Sequence, residues 1–370
     1  MRICFIDWFA FGLFNPKSKI VFGGAQIQLF LLAREISKNK KFNVSFLTDN
    51  QSYFRQDLFG KIRVYQFVRS PRTPGFYGRL INLTAYFHFF FRLLSQLGKI
   101  NADIYFQRAA SAETGLIALV SKFLNKKFTF MVAHEQDVNG NFIRQNGWRG
   151  KLFLLGLKLA DRIVCQTKEQ QELLEGSLKT KSVIVQSGYP IKPPKKFKKT
   201  DILWVARAEE WKGPEMYIRL AQKFPEEKFT MICPPAENNP KYFELIKTKA
   251  KIVSNLKFIK QVPFSKIDAY FSRAKLFVST SLSEGFPNTF IQAAMGRTPI
   301  LSFKVNPDKI MDRYRIGFCA GGDEKKMEKL LRQILKNDQL RRQMGLNAFN
   351  YVRQCHDIRQ TTANIIANIF

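Results

Sequence analysis

The sequence predicts an α/β protein built from two doubly wound, mostly parallel sheets. Three observations support this prediction. The chain has 370 residues, enough for two domains of ordinary size. Short apolar runs alternate with helical patterns in both halves, as parallel sheets with helical crossovers require. The segment 190–200, with three prolines, five lysines and no acidic residue, separates the two patterns and is typical of an exposed interdomain linker.

In the first half, predicted strands and helices follow one another in alternating order. A helix over Gln26–Asn39 begins after a glycine pair, and a helix through Leu152–Ala160 precedes a strand. Thr167 and Gln170 have the spacing of a capping box at the start of the helix Lys168–Leu174. The predicted strands are Arg2–Asp7, Phe42–Thr48, Ile62–Val68, Ala102–Gln107, Lys127–Ala133, Arg162–Gln166 and Val183–Gln186.

In the second half the same alternation starts again after residue 200. Its predicted strands are Ile202–Ala206, Lys228–Cys233, Leu256–Ile259, Leu276–Ser279 and Ile300–Phe303. Its predicted helices include Pro214–Lys223, Tyr242–Lys251, Lys325–Leu335 and Asp338–Arg353. Two consecutive patterns of this kind predict two sheets, with ligands at the carboxyl ends of their strands.

Composition narrows the functional class. The five cysteines are scattered and form no CxxC, and the three histidines lie far apart in sequence, so we expect no zinc site. The cysteine pattern fits a protein of the reducing cytoplasm better than a disulfide framework. The amino terminus enters a strand directly, without the apolar region of a signal peptide. No segment has about 20 uncharged apolar residues in a row, so we expect no membrane-spanning helix.

The net charge of +31 is the most unusual number in the composition. Residues 1–200 hold 32 Lys and Arg against 12 Asp and Glu, whereas residues 201–370 hold 28 against 17, so the excess is concentrated in the first half. Such an excess indicates nucleic acid, an anionic membrane surface or an anionic substrate as a partner, or simply a lysine-rich, soluble protein. No nucleic-acid-binding motif accompanies it, so we expect no nucleic acid.

The most informative motif follows the apolar run that ends at Ser279. A polar loop carries Glu284 and the turn Gly285-Phe286-Pro287, and a helix then begins near Asn288-Thr289 and stops at Gly296. A strand, a glycine-containing loop and a helix start together point backbone N–H groups at a bound phosphate. Gln292, eight residues after Glu284, can line the same crevice from the helix.

This stretch resembles the retaining glycosyltransferases of family 4, which have the GT-B fold of two Rossmann-like domains facing across a cleft. The family's pattern is a Glu followed by Gly-Phe-Pro, with a second Glu at the position of Gln292. The resemblance implies that Glu284 contacts hydroxyls of the transferred sugar. It also implies that residues 285–289 and Gln292 help to bind the donor nucleotide. Gln keeps an acceptor oxygen but loses the charge, which puts nucleotide affinity or donor choice in question.

Three further segments match the family in order. Arg207 and Lys212-Gly213 correspond to its diphosphate-binding cations, which neutralise the leaving nucleotide without a metal. Gly23-Gly24 corresponds to its amino-terminal glycine pair, which contacts the donor phosphate or the acceptor. His134 corresponds to a histidine beside the transferred sugar, although a loop histidine or helix cap is an alternative. Glu135 and Asp137 stay candidates without a role, because the family's front-face mechanism assigns no protein nucleophile.

The resemblance also implies the domain organisation. Residues 1–188 are expected to form an acceptor-binding domain, residues 189–200 a linker, and residues 201–353 a nucleotide-sugar-binding domain. In the family the last helix crosses back to the first domain, so residues 354–370 are assigned to it.

Residues Tyr77–Lys99 predict a helix with an unusually wide apolar arc. Six apolar residues recur at spacings of three and four: Leu80, Leu83, Phe87, Phe90, Leu94 and Leu97. Tyr86, Phe89, Phe91 and Leu93 widen that arc to about half the circumference, more than a surface helix needs. Arg79, His88, Arg92 and Lys99 lie on the remainder or its rim. The pattern fits a helix in a membrane interface or a helix buried in a Phe-rich core.

The sequence therefore predicts a metal-independent, retaining hexosyltransferase, with the nucleotide sugar as co-substrate and no cofactor. We expect a saccharide or an anionic, lipid-linked acceptor, used in polysaccharide or glycolipid synthesis on the cytoplasmic face of the membrane. The alternative is a nucleotide-sugar-binding or scaffold subunit that has lost catalysis, which the presence of Gln292 keeps open. The base, the sugar, the linkage and the oligomeric state are not predicted.

Overall fold

The structure, a computed structural model, describes residues 1–15, 23–49, 58–67, 76–193, 197–236 and 239–369. Residues 76–85 are described as helical backbone without side chains, so Arg79, Leu80 and Leu83 lie outside the described side chains, and part of the predicted linker, 194–196, lies outside the described residues. The chain forms two compact units: unit 1 is Met1–Gly188 with Ile358–Phe370, and unit 2 is Tyr189–Asp357.

Unit 1 contains an eight-stranded sheet with helices between its strands. Its elements are β1 (Arg2–Ile6), α1 (Phe11–Phe14), α2 (Gly24–Ile36), β2 (Asn43–Asp49), β3 (Leu58–Phe59), β4 (Ile62–Phe67), α3 (Phe76–Ile100), β5 (Ile104–Arg108), α4 (Glu113–Phe123), β6 (Lys127–Met131), α5 (Asn141–Gln145), α6 (Gly147–Leu159), β7 (Arg162–Cys165), α7 (Lys168–Leu178) and β8 (Val183–Ile184).

The unit 1 sheet has the strand order β3-β4-β2-β1-β5-β6-β7-β8 and is parallel except for β3, which pairs antiparallel with β4. The strand order reverses between β1 and β5, so the crevice beyond their carboxyl ends is the expected ligand position of this unit. The predicted cap is confirmed, because the side chain of Thr167 accepts a hydrogen bond from the Gln170 amide.

Unit 2 contains a six-stranded, fully parallel sheet. Its elements are β9 (Asp201–Val205), α8 (Pro214–Lys223), β10 (Phe229–Ile232), α9 (Pro240–Lys251), β11 (Leu256–Ile259), α10 (Phe264–Arg273), β12 (Ala274–Ser279), α11 (Asn288–Met295), β13 (Ile300–Ser302), α12 (Ile310–Tyr314), β14 (Gly317–Cys319), α13 (Glu324–Lys336) and α14 (Asp338–Cys355). The final helix, α15 (Ile358–Ile369), belongs to unit 1 and packs against α2.

The unit 2 sheet has the strand order β11-β10-β9-β12-β13-β14. The central strands β9, β10, β12 and β13 are mostly buried and apolar, as a parallel sheet covered by helices requires, whereas the edge strands β11 and β14 are partly exposed. The core includes Trp204 on β9 and Leu276 on β12, which are both almost fully buried. Here the order reverses between β9 and β12, which places the ligand crevice of this unit beyond Val205 and Ser279.

The predicted linker packs on unit 2. The ring of Phe197 lies under the guanidinium of Arg273, at 4.9 Å from ring centroid to Cζ. Lys199 Nζ donates to the carbonyls of Ala274 and Gly296 and to the Thr298 hydroxyl, at 3.1, 2.8 and 2.8 Å. Burial of this ammonium group, aided by the nearby Arg297, lowers the pKa of Lys199 to about 8.

Two glycines let α4 and α6 approach closely on one face of the unit 1 sheet. A Cβ at Gly115 would lie 2.2 Å from the carbonyl oxygen of Leu152, and a Cβ at Gly156 would lie 2.8 Å from the backbone of Thr114. Because α3 also packs against α4, these three helices cover a single face of the sheet.

Candidate functional site

The strongest candidate site lies at the switch point of unit 2. Two loops meet there: residues 206–213 follow β9, and residues 280–287 follow β12. Trp204 Nε1 donates to Thr280 Oγ1 at 2.8 Å, and Thr280 Oγ1 donates to the Lys212 carbonyl at 2.7 Å. The Leu282 amide donates to the Trp211 carbonyl at 2.8 Å. These contacts fix the two loops against each other, so the side chains that they carry have defined positions.

Gly213 makes this contact between the loops possible. Its φ of +63° is left-handed, and a Cβ at this position would lie only 2.7 Å from the Thr280 carbonyl oxygen. Any L-residue would therefore strain the backbone and separate the two loops. Pro214 begins α8 directly afterwards, as its fixed φ favours.

The loops bring together the charged residues that the sequence predicts. Lys212 Nζ forms an ion pair with Glu284 Oε1, and both side chains are only 14–15% exposed. The same ammonium lies 3.8 Å from the centroid of the Trp211 ring. Arg207 Nη2 lies 3.4 Å from Glu209 Oε1, and its side chain is 39% exposed. The site thus holds two cations at the strand ends, each paired with a carboxylate.

The loop after Glu284 leads into α11. Phe286 is buried, and its ring centroid lies 4.7 Å from that of His356. Pro287 precedes the helix and provides no side-chain cap, and Asn288 and Thr289 form the first turn. The sequence pattern predicts that Gln292 lines the crevice. The residue is only 6% exposed, so it also contributes to the packing of α11.

Unit 1 brings a second set of predicted residues to its own strand ends. The Gly23 amide donates to Gln26 Oε1 at 2.9 Å, and Gln26 Nε2 donates to Asp7 Oδ2 at 2.8 Å. Asp7 follows β1, is 6% exposed, and also accepts from the Phe9 amide at 2.8 Å. The glycine pair is therefore held at the start of α2 by a carboxylate from the neighbouring strand.

His134 lies just beyond β6 and caps a short 3-10 turn. Its Nδ1 accepts a hydrogen bond from the Gln136 amide at 3.2 Å, so a neutral ring carries its proton on Nε2. The sequence left open whether this residue caps a turn or orients a sugar. The cap occupies Nδ1, and this arrangement fixes the orientation of the ring.

Asp137 has a structural role that the sequence does not reveal. Its Oδ2 accepts from the amides of Ala133 and His134 at 2.8 and 3.0 Å, and its Oδ1 accepts from the Ala110 amide at 3.4 Å. Burial raises the pKa of Asp137, and the backbone hydrogen bonds oppose that shift. The carboxylate thus ties the loop after β5 to the loop after β6.

Arg108 is another residue at the strand ends that the sequence analysis missed. It ends β5 at the switch point of unit 1, its side chain is 5% exposed, and Nη1 lies 3.8 Å from Met131 Sδ. A buried guanidinium is costly unless anionic or dipolar groups surround it. Its only signal in the sequence is one basic residue at the end of an apolar run.

Comparisons with known proteins agree with this architecture. Residues 189–351 match the family model described as glycosyl transferases group 1. An uncharacterized glycosyltransferase of Methanocaldococcus jannaschii is 27% identical over 256 residues, which cover 60% of this chain and 61% of that protein. The matches cover only 45–61% of the lengths of three curated relatives.

Two solved structures resemble the whole chain. Sucrose-phosphate synthase from Thermosynechococcus elongatus has a TM-score of 0.79 at 14% identity, with 99% of this chain and 98% of that chain covered. Anabaena HepE, solved in complex with UDP and glucose, has a TM-score of 0.77 at 16% identity, with both chains fully covered. The chain therefore has the GT-B fold, and its residues 189–351 match the glycosyl transferases group 1.

Proposed function

We propose that the protein is a retaining glycosyltransferase of family 4, which transfers a sugar from a nucleoside diphosphate to a saccharide or lipid-linked acceptor. The observation that carries this proposal is the grouping of Arg207, Lys212 and Glu284 at the switch point of unit 2, within the segment that matches the group 1 family. The two cations suit a diphosphate, and the carboxylate of Glu284 suits a neutral, hydroxyl-rich sugar.

The two cations have the chemistry that departure of a nucleoside diphosphate requires. Negative charge builds up on the β-phosphate as the glycosidic bond breaks, and Arg207 and Lys212 offset it in a site that is already partly shielded from water. A metal is then not needed for this step. The first turn of α11, at Asn288 and Thr289, offers backbone N–H groups to the same phosphates.

Glu284 is proposed to accept hydrogen bonds from hydroxyls of the transferred sugar. In the structure its carboxylate is paired with Lys212. Donor binding would draw the ammonium toward the phosphates and leave Glu284 Oε1 to the sugar. The acceptor hydroxyl then attacks from the face that the nucleotide leaves, and the departing phosphate takes its proton, so no protein nucleophile is assigned.

The proposed roles in unit 1 concern the transferred sugar, the acceptor and the donor phosphates. His134 would donate from Nε2 to the transferred sugar, since Nδ1 is occupied by the turn that it caps. Gly23 and Gly24 present backbone to the acceptor or to a donor phosphate at the start of α2. UDP-sugars are the first donors to test, because Anabaena HepE was solved with UDP and glucose.

The proposed setting is the cytoplasmic face of a membrane, in polysaccharide or glycolipid synthesis. The net charge of +31, concentrated in the first half of the chain, supports an anionic acceptor or an anionic lipid surface.

A thermal-shift panel tests the donor site. UDP, GDP, ADP, CMP and their sugar conjugates are added to the wild type, to Glu284→Ala and to the matched control Glu244→Ala, with EDTA present. Glu244 is an exposed carboxylate on α9, paired with Lys247. We expect one nucleotide to raise Tm by several degrees in all three proteins, because ligand binding stabilises the folded state. The further shift from its sugar conjugate should disappear only in Glu284→Ala.

Two other results would count against the proposal. No shift with any nucleotide would favour the alternative of a scaffold subunit, for which Gln292→Glu is the next variant. A shift in Tm, with neither sugar transfer nor slow hydrolysis of the donor, would identify a nucleotide-sugar-binding subunit. A shift that appears only when a divalent cation replaces EDTA would contradict only the metal-independent mechanism.

A further inference from the structure

The two sides of α3 differ sharply. Leu93 and Leu97 are fully buried, and Phe89 packs against Trp8 and Phe67, so one side of the helix is part of the unit 1 core. On the opposite side, Phe87 and Phe91 are 67% and 56% exposed, and their ring centroids lie 5.9 Å apart. One side of the helix is therefore part of the core, and the other is an exposed aromatic surface. The sequence left open whether the helix is buried in the core or lies in a membrane interface, and each side fits one of these alternatives.

A second helix places another exposed aromatic residue against α3. Trp148, in the first turn of α6, is 49% exposed, and its ring packs edge-on against Tyr86 of α3 at 4.9 Å. The guanidinium of Arg149 lies 5.6 Å from the centroid of the Trp148 ring. We call the residues Phe87, Phe91 and Trp148 the aromatic face. Large aromatic side chains left in water on adjacent helices favour a partner that can accept them.

The charge around the aromatic face indicates what that partner is. Helices α3 and α6 together contain six Lys and Arg and no Asp or Glu. The basic residues are Arg79, Arg92, Lys99, Arg149, Lys151 and Lys158. Two helices that carry exposed Phe and Trp and whose charged residues are all basic, with Arg149 beside the Trp148 ring, match an anionic phospholipid surface, where the rings enter the interface and cations meet the headgroups.

The location of the aromatic face connects it with the strand ends of unit 1. Trp8 follows β1 and Phe67 ends β4, and both contact Phe89, so Phe89 lies level with the carboxyl edge of the sheet. The 13 residues of α3 before Phe89 form about 20 Å of helix on the amino-terminal side of this contact, since a helix rises about 1.5 Å per residue. Gly23 and His134 lie at the same edge, because they follow β1 and β6.

We propose that the aromatic face docks on an anionic phospholipid surface and holds the carboxyl edge of the unit 1 sheet beside it. A lipid-linked acceptor would then reach this edge without leaving the membrane; this second step rests on the proposed function. Among the described residues, no helix is both long enough and apolar enough to cross a bilayer. The proposed attachment is peripheral and reversible, because it depends on three aromatic side chains and nearby cations in the interface.

Vesicle binding of the full chain tests the docking surface. Phosphatidylcholine vesicles with and without phosphatidylglycerol are sedimented with the wild type, with Phe87→Ser/Phe91→Ser, and with the control Leu245→Ser/Ile252→Ser. The control residues are also exposed apolar side chains, but they lie in unit 2. We expect binding of the wild type and the control to anionic vesicles only, and binding about tenfold or more weaker for the Phe variant.

Two further variants separate the contributions. Arg149→Gln/Lys151→Gln should weaken binding to anionic vesicles several-fold, and high salt should remove that difference because it screens the charges. Trp148 is the most exposed of the four tryptophans, so a blue shift of emission on vesicle binding should be lost in Trp148→Phe. An unchanged shift in that variant would contradict contact of Trp148 with lipid.

Several results would overturn the proposal. Wild-type protein that ignores anionic vesicles at low salt, or a Phe variant that binds as tightly as the wild type, would each do so. If the wild type is a dimer in solution and the Phe variant a monomer, and neither binds vesicles, the face is a contact between two copies. Binding to nucleic acid in place of vesicles would indicate that other class of partner.

The proposed function and the docking surface can be tested independently of each other. Nucleotide-induced stabilisation should be the same in the wild type and the Phe variant, because residues 87 and 91 belong to unit 1, whereas Arg207, Lys212 and Glu284 belong to unit 2. Vesicle binding without any nucleotide effect would leave the membrane surface intact and remove the transferase proposal.

Discussion

The two units place carboxylates at the same edge of similar sheets but use them differently. In unit 1, Asp7 and Asp137 are buried, and among them they accept hydrogen bonds from four backbone amides and one Gln side chain. In unit 2, Glu284 pairs with Lys212, and Glu209 pairs with Arg207, so carboxylates there meet cationic side chains. Unit 1 uses acidic residues to hold the backbone of its loops, whereas the acidic residues of unit 2 form ion pairs.

This difference predicts different consequences of mutation. Removing a carboxylate in unit 1 leaves buried backbone donors without an acceptor, which is chiefly a loss of stability. Removing a charge in unit 2 leaves the loops in place, because backbone and hydroxyl contacts hold them together. Activity should then fall while the fold stays intact.

The largest expected effect is that of Lys212→Met. This variant keeps the length of the side chain but removes a cation from the proposed position of the leaving phosphate. We expect kcat for sugar transfer to fall about 100-fold or more, as for loss of one preorganised electrostatic contact. Steady-state kinetics with the donor identified by the thermal-shift panel measure the effect.

Lys223→Met is the control for that variant. Lys223 is an exposed lysine of α8 in the same unit and is paired with Glu328. Its loss should change kcat less than twofold, since exposed ion pairs contribute little. Equal losses in both variants would show that the effect of Lys212→Met is a general loss of charge.

A smaller change in activity and a clear loss of stability are expected for Asp137→Asn. The amide NH₂ of Asn would face backbone N–H groups that now donate to the carboxylate. We expect the free energy of unfolding to fall by about 1–3 kcal/mol, measured by urea denaturation. Asp161→Asn is the control, because Asp161 accepts from one backbone amide, that of Phe128, and is partly exposed. A larger loss in the control would contradict the role assigned to Asp137.

The smallest expected effect is that of Gln292→Glu. A charged acceptor forms stronger hydrogen bonds than an amide, by about 1 kcal/mol, which corresponds to several-fold tighter nucleotide binding. Burial of Gln292 opposes this gain, because a carboxylate is costly to place there. Isothermal titration with the preferred nucleotide measures the difference. Weaker binding would show that burial outweighs the charge.

Local sequence patterns were sufficient to predict much of the fold and the loops that meet at the switch point of unit 2. The helix of unit 2 that begins at Asn288 and the strand before Glu284 were predicted because apolar runs, glycine and proline act within a few residues. Arg207 and Glu284 follow the neighbouring strands β9 and β12, and the rule that ligand crevices form at the switch point of a doubly wound sheet assigns both to one crevice.

Contacts between distant residues could not be predicted in this way. Asp7 holds Gln26, which is 19 residues away, and Lys199 holds the carbonyl of Gly296, which is 97 residues away. The lysine-rich composition of 190–200 indicated an exposed linker. The contacts of Lys199 were missed, because a single sequence does not show which lysine reaches a carbonyl. Likewise, the periodicity of α3 predicted a helix but not that Leu93 is buried while Phe91 is exposed.

The position of α15 has a consequence for the order in which the chain acquires its structure. This helix packs against α2, and Arg162 Nε donates to the Asn368 carbonyl at 3.4 Å, so unit 1 is completed by residues that follow all of unit 2. On the ribosome, residues 189–357 emerge before α15 does, and domains generally fold as units during synthesis. Unit 2 can therefore fold while unit 1 still lacks its last helix, and the surface of α2 that α15 covers stays open to chaperones until α15 emerges from the ribosome.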